Sequence, residues 1–449
     1  MYNSLAERSN ATTGTLGEIQ GIVSSGYGQF KFMSCLLLQF KSAETARRSL
    51  LQVLDQVSYN DEPTQKSDHR LNLAFSWDGL RLLNEAAADK DAELFKREYK
   101  EGMVTEYRQK LLGDLDDSPS SPRKWLWGQN EKQEVHLAVL VYEKTDQQRE
   151  NRVKELLQTL EMELVDRGRI DSQELEGFKE HFGFRDGISQ PWLKGLSVKE
   201  GIAADEVAWG EVVLGYKDNS ETVERHPEIA FNGSYLVIRQ IEQDVEGFWN
   251  SFSASEGDAI KLAAKQMGRW PDGTPVTLEP DAAKGRATND FDYKHDQQGI
   301  NCPVGAHVRR CNPRTAPARN SGKKNSHRIL RRGRAYGPAA PAEYYPPELR
   351  SKVAKKDHTQ DESRGLLFMC LNANFERQFE FMQRNWINGL MGTLSDELDP
   401  VASQLNFETF TLPDKPFRKR CPRGDSYVKT VGGGYFFLPS RSALRKILD

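Results

Sequence analysis

An α+β fold built from two ferredoxin-like units is the architecture this sequence predicts, and three observations predict it. The first half alternates strand-like and helix-like segments. The second half repeats that alternation. Two strong strand patterns, at 137–142 and 366–371, are each followed by a helical pattern, as expected for a duplicated unit whose antiparallel strands carry helices on one face. With 449 residues the chain exceeds one ordinary core, so two or three domains and burial of a large cofactor are feasible. The division is set at 1–225 and 226–449.

Each element follows from its local pattern. Residues 32–40 (Phe-Met-Ser-Cys-Leu-Leu-Leu-Gln-Phe) are an apolar run of strand length. Residues 42–57 carry Leu50, Leu51, Val53 and Leu54 at helical spacing, and 71–75 form a second short strand before Ser76-Trp77-Asp78-Gly79-Leu80, where a serine can open a helix. Asp, Ser and Pro over 114–123 mark a polar loop; a strong strand follows at 135–142 and a charged helix over 145–161. In the second half, 233–240 is a strand and 245–268 has helical spacing through Phe248, Phe252, Ile260 and Ala264. The strand at 366–371 leads into a helix over 375–388. Between them, about 272–350 is rich in Gly, Pro, Arg and Asn and lacks periodicity. A stretch of that length is either disordered or functional, and Phe291, Tyr293, Ile300 and Tyr336 within it favour function. The glycines at 432–434 read as a turn into an apolar strand, not as a phosphate cradle.

Composition removes several functional classes. Sixty-two basic and 65 acidic residues leave a net charge of -3, which gives no global electrostatic case for nucleic acid. Five scattered cysteines, an odd number, do not make a disulfide framework and read as reduced thiols. The first 17 residues are polar, without the charged end and apolar core of a secretory signal. The run at 32–40 is far shorter than the roughly 20 residues that span a bilayer. A cytoplasmic protein is expected, with export by another route or packaging in a protein shell left open. The motifs G-x-x-x-x-G-K-[ST], H-E-x-x-H and G-x-S-x-G are absent from the sequence, which removes the usual mononucleotide, zinc-protease and serine-hydrolase readings.

Three short blocks carry chemistry: Gly183-Phe184-Arg185-Asp186-Gly187, Cys302-Pro303-Val304-Gly305-Ala306-His307 and Ile329-Leu330-Arg331-Arg332-Gly333. Each has an ordinary reading. An Asp between glycines is commonly a turn, a histidine is commonly a hydrogen-bonded core or surface residue, and clustered arginines are commonly a solvated face. Together they offer an acid, a soft nitrogen ligand and a permanent cation. Leu366 and Phe368 alternate along a strand and so point the same way, for which core packing is the default.

In this order and context the blocks resemble the dye-decolourising (DyP-type) haem peroxidases, from Ile19-Gln20-Gly21 through to Tyr435-Phe436-Phe437. The resemblance implies haem b, bound in the C-terminal unit under a loop of the N-terminal one. His307 becomes the iron ligand. Asp186, in a loop with Gly187, becomes the distal acid–base group that moves a proton between the oxygens of hydrogen peroxide, with activity toward acid pH. Arg331 becomes the cation that holds peroxide and its developing charge; a register shift of one would give Arg332 that role. Leu366 and Phe368 would line the distal face, while Arg309 and Arg314 are the candidates at the haem propionates. With no C-x-x-C-H, the haem would be held by coordination and packing. A carboxylate behind His307 is expected, with Glu376, Glu380 and Asp399 left open. Trp386 and Tyr336 are candidate relays for electrons from bulky donors.

The expected function is therefore reduction of hydrogen peroxide with oxidation of dyes, phenols and other one-electron donors. No nucleic acid or membrane partner is expected, and a homodimer is left open. The alternative is a haem-binding or haem-handling protein with incidental peroxidase activity. A third reading is a cofactor-free module that docks an acidic partner through the basic run at 323–334.

Overall fold

Strands whose alternate residues are apolar on both faces need cover on both, and here a closed sheet supplies it. The structure, a computed structural model, describes residues 13–60, 68–129, 134–252, 258–314, 326–351, 362–390, 397–405, 409–413, 417–422 and 426–449. Several expectations therefore lie in part outside the described residues: the first 12 of the polar start, 253–257 of the helix at 245–268, 315–325 of the long central stretch and 323–325 of its basic run.

The first unit runs β1 (Phe32–Gln39), α1 (Ala43–Val53), β2 (His69–Phe75), β3 (Leu137–Glu143), α2 (Asp146–Leu160) and β4 (Glu163–Gln173). Ser42 caps α1 by accepting from the Thr45 N–H, and Thr145 with Gln148 closes a capping box at α2. The second unit repeats the plan with β5 (Ser234–Gln243), α3 (Val245–Asn250), α4 (Ala259–Met267), α5 (His307–Cys311), β6 (Leu330–Arg331), β7 (Arg334–Tyr336), β8 (Gly365–Asn372) and β9 (Val428–Leu438).

Among the described residues these nine strands form one antiparallel sheet in the order β5-β9-β2-β3-β1-β4-β7-β8-β6, and β5 also pairs with β8, which closes the ring. The seams between the units are single-residue pairings, Phe437 with Phe75 and Ser172 with Tyr336. One alternating set, including Cys35, Leu37, Leu140, Leu236, Leu367 and Met369, packs inside the ring. The opposite set in the first unit, with Leu36, Leu71 and Val139, meets Leu50 and Val53 of α1 and Val153 and Leu156 of α2.

Two features differ from expectation. The glycines at 432–434 lie inside β9, not in a turn; a methyl group at Gly432 would run into the Trp127 indole, whose Nε1 donates to Gln240 Oε1 at 2.8 Å. The helix expected over 375–388 winds as two π-helical segments, Glu376–Glu380 and Met382–Ile387. Their wide turns are seen in Glu380 N donating to Phe375 O at 2.8 Å and Asn388 N to Gln383 O at 2.9 Å. The five cysteines are free. Among the described residues no helix is long and apolar enough to cross a membrane.

Candidate active site

Strand pairing puts Arg331 opposite Cys370 and Phe368 opposite Arg239, so Arg331, Leu366 and Phe368 share the outer face of the second unit with Ile241 and Gln243 of β5. That face is not filled by helices packed as α1 and α2 are packed on the first unit. It forms one wall of a cavity whose other walls come from the loop around Asp186, from α5 and from the π-helical segments.

The loop is a tight hairpin. Lys179 and Arg185 bridge antiparallel, Gly183 reverses the chain at φ +93° with its N–H donating to Glu180 O at 2.8 Å, and Asp186 N donates to Phe178 O at 2.9 Å. Gly187 follows at φ +76°, a conformation costly for any residue with a side chain. Arg331 Nη1 donates to Asp186 Oδ1 at 2.8 Å, and its backbone N–H donates to Gln190 Oε1 at 3.1 Å. Burial alone would raise the Asp186 carboxyl. Arg331, the Gly187 N–H and His307 outweigh it and hold the group below the usual carboxylate range. The pair remains 36% and 31% exposed, and both residues line the cavity.

His307 opens α5 just after Pro303 and lines the same cavity. Its Nδ1 donates to Asp399 Oδ2 at 2.9 Å, and Asp399, fully buried, also accepts from the N–H groups of Val401 at 2.9 Å and Ala402 at 2.8 Å. Burial opposes an imidazolium, but Asp399 and Cys311 more than offset this and hold the His307 pKa well above the ordinary value. Cys311, one turn along α5, brings Sγ to 3.8 Å from Nδ1. The proximal and distal sides touch through Asn312, whose Nδ2 donates to Ser189 Oγ at 3.3 Å.

Of the three carboxylates left open by the sequence, Asp399 is the one at His307. Glu380 instead accepts from Arg108 Nε at 3.1 Å and Tyr435 OH at 2.7 Å, and Glu376 is exposed. Arg332 points elsewhere, donating to Ile22 O at 2.6 Å and Val23 O at 2.8 Å. Leu366 and Phe368 line the cavity; Arg309 and Arg314 do not. Arg309 donates to Cys302 O at 2.7 Å and lies over the Tyr293 ring, while Arg314 donates to Asn289 O at 2.7 Å and lies over Phe291. The cavity has other cations, Arg185, Arg239, Arg269 and Arg328, of which Arg239 pairs with Asp114 at 2.6 Å and Arg328 with Asp205 at 2.7 Å. Burial, with Arg314 beside it, pushes Arg269 down to about 10. Tyr336 is buried, and Trp386 is half-buried with its ring edge-on to Phe381.

Sequence reasoning missed Glu180, Gln190 and Gln243. The first lies three residues before Gly183 and was legible as a neighbouring acid; the two glutamines carried no signal. His307 Nδ1 is engaged, which leaves Nε2 as the ring nitrogen available to a ligand. A soft nitrogen donor on one wall, cations and apolar side chains around it, and an acid with a guanidinium on another wall suit an iron porphyrin.

A profile of the Dyp-type peroxidase C-terminal region matches residues 214–409. Peroxidase 2 of Mycetinis scorodonius is 32% identical over 302 residues, covering 60% of this chain and 56% of that protein. The chain thus spans little more than half the length of the curated relatives it matches. Among solved structures, a DyP-type peroxidase of Anabaena sp. superposes with a TM-score of 0.79 at 25% identity, over 100% of this chain and 99% of that one. A dye-decolorizing peroxidase in complex with 2,6-dimethoxyphenol does so with a TM-score of 0.79 at 25% identity, over 97% and 99%.

Proposed function

From the premise that this chain belongs to the Dyp-type peroxidase family, a haem-dependent one, we propose that it is a haem b peroxidase reducing hydrogen peroxide and oxidising dyes, phenols and similar one-electron donors. The observation that carries this is the pairing of His307 with Asp399 at 2.9 Å on one side of a cavity and of Arg331 with Asp186 at 2.8 Å on another. The phenol class is supported by the relative solved with 2,6-dimethoxyphenol.

His307 would hold the haem through Nε2, and Asp399 would keep the proton on Nδ1 and strengthen the imidazole as a donor. Arg269 and Arg328, which line the cavity, would meet the haem carboxylates. Arg309 and Arg314 brace the segment that carries His307. When bound, the iron porphyrin supplies the redox chemistry.

The chain supplies proton handling and charge. Asp186, ionised over the working range because Arg331 holds its pKa down, accepts a proton from one peroxide oxygen and returns it to the other. Arg331 keeps its charge at every relevant pH. It can orient peroxide and stabilise negative charge on the departing oxygen. Leu366 and Phe368 narrow the cavity, so small peroxide is admitted and bulky dyes react from outside.

The test is an absorption spectrum of the haem-reconstituted protein before and after peroxide, for the unmodified chain and for His307→Ala. A Soret band that changes on adding peroxide, and that is lost or displaced in His307→Ala, is the expected result. A chain that takes up haem but does not consume peroxide, with no effect of Asp186→Asn, would make the protein a haem carrier instead.

A further inference from the structure

Turning one hydrogen peroxide into two waters consumes two electrons and two protons. Asp186 moves a proton between the two oxygens already present, so it supplies neither of the additional protons. Donors too bulky for the cavity deliver electrons from outside without protons at the reacting oxygens. A second protonatable group on the cavity wall is needed.

We propose that Glu180, bonded to Gln243, is the proton donor that supplies this cavity, an inference that rests on the peroxidase reading above. Both residues line the cavity that holds Asp186. Glu180 is half-buried, and residues 176–178, which lead into its hairpin, are exposed. Its Oε1 accepts from Phe184 N at 2.9 Å, and its Oε2 accepts from Phe182 N at 2.8 Å and from Gln243 Nε2 at 2.7 Å. Gln243 Oε1 is buried and has no hydrogen-bond partner among the described residues.

That unused oxygen matters. When Glu180 is ionised, Gln243 donates to it; when Glu180 is protonated, a half-turn of the amide offers Oε1 to the new O–H. The two N–H groups of the hairpin keep acceptors in both states. The carboxyl can therefore gain and lose a proton without releasing the loop that carries Asp186. Burial, opposed by the Phe182 N–H, Gln243 and the Phe184 N–H and assisted by Asp186, pushes its pKa up to about 7, where both forms are populated at neutral pH.

The charged and titratable groups around it are Asp186 and Arg185 on the hairpin, His181 beside it, Tyr345 and Arg364 from the segments packed on the loop, and Arg239 on β5. Burial first of all pushes His181 down to about 4, so it is neutral. Burial raises the Tyr345 hydroxyl, and Arg239 is paired with Asp114 at 2.6 Å. Glu180 is thus the group among these that changes charge near neutrality. In each of the two one-electron steps, the Glu180 O–H bond breaks, its proton passes to the oxygen that leaves as water, and the carboxylate left behind is reprotonated from solvent, so two protons accompany two electrons. The electrons come from the dye.

The experiment compares steady-state dye oxidation at saturating peroxide against pH in the haem-loaded full chain and in Glu180→Gln. Turnover of the unmodified protein should fall as pH rises through about 7. Glu180→Gln should lose about 100-fold below that pH and lose the pH dependence there, while acetate added to the medium restores part of the rate. In haem-free protein, infrared difference spectra between pH 8 and pH 6 should show a protonated carboxyl band that Glu180→Gln lacks. Should Glu180→Gln not fold, Gln243→Leu removes a donor to the ionised form, so the fall in turnover should move to higher pH. An unchanged pH profile in Glu180→Gln, or in Gln243→Leu where that variant stands in, overturns the proposal, as does an infrared band that survives Glu180→Gln. If the unmodified holoprotein consumes no peroxide, it is the peroxidase reading that has failed.

Discussion

The two charged pairs that face the cavity are built to opposite specifications. Asp399 at His307 has no exposure and accepts from two backbone N–H groups as well as the imidazole, so every direction is fixed. Asp186 at Arg331 is about a third exposed, as is its partner, and both line the cavity. Exposure screens the distal pair and leaves it replaceable by a ligand; burial makes the proximal pair a fixture. One side is suited to hold a cofactor in a single orientation and the other to exchange protons with something that comes and goes.

If this contrast governs function, distal substitutions should act on the reaction rate with haem still bound. Asp186→Asn keeps shape and removes the base, and the rate constant for reaction of the ferric protein with peroxide should fall by about 1,000-fold with the Soret band retained. Stopped-flow absorbance measures it. A rate unaltered by this change would put the proton-moving group elsewhere.

Arg331→Leu comes next. Losing one preorganised donor should cost about 100-fold. It also withdraws the largest influence holding Asp186 down, so the Asp186 pKa should rise. Because Asp186 acts as a base only when ionised, a higher pKa moves the acid limb of the rate profile to higher pH. A profile that keeps its acid limb in place would separate Arg331 from Asp186 and break the distal pair as a unit.

The proximal pair should respond differently. Asp399→Asn leaves a hydrogen-bond acceptor but removes the charge behind His307, and a loss of about 10-fold in haem affinity or turnover is expected. Titration of the haem-free protein with haem, followed at the Soret band, checks it. Stability adds a second readout. Burial raises the Asp399 pKa and His307, Arg310 and the Ala402 N–H lower it further, so its folded value lies below its unfolded one. Asp399 therefore contributes stability above about pH 4 that is lost as pH falls through the folded value. Asp399→Asn should flatten the acid side of the unfolding curve.

The same contrast separates what the sequence disclosed from what it hid. Strands β1, β3 and β8 and helices α1 and α2 were legible because their apolar residues follow periods of 2 or 3.6, or run unbroken where both faces are covered. Strand β4 was not, since a register irregularity opposite Leu36 to Leu38 and a left-handed Arg167 at φ +54° break the alternation in Glu163–Gln173. β6 and β7 were hidden for a different reason: they are only two and three residues long, although both pair with β8 in one continuous register. Asp186, His307 and Arg331 stood out because short blocks surround them. Asp399 did not, because its link to His307 spans 92 residues and no local spacing records it. Closure of the ring was equally hidden, resting on single pairings at two seams.

The smallest expected effect asks whether the two sides act independently. Asn312, the residue after α5, donates to Ser189 Oγ at 3.3 Å, and Ser189 lies three residues beyond Asp186 on the distal loop. Ser189→Ala removes one part-buried hydrogen bond and should lower stability by about 1 kcal/mol, read as a shift in the denaturant midpoint. The peroxide rate should change little, because Arg331 and the backbone of the hairpin still position Asp186. Combining Ser189→Ala with Asp399→Asn sharpens the point. Independent sides give stability losses that add within about 0.5 kcal/mol, whereas a larger discrepancy would mean that Asn312 transmits the position of α5 to the loop, and the fixed and the exchangeable halves of the cavity would then have to be treated as one element.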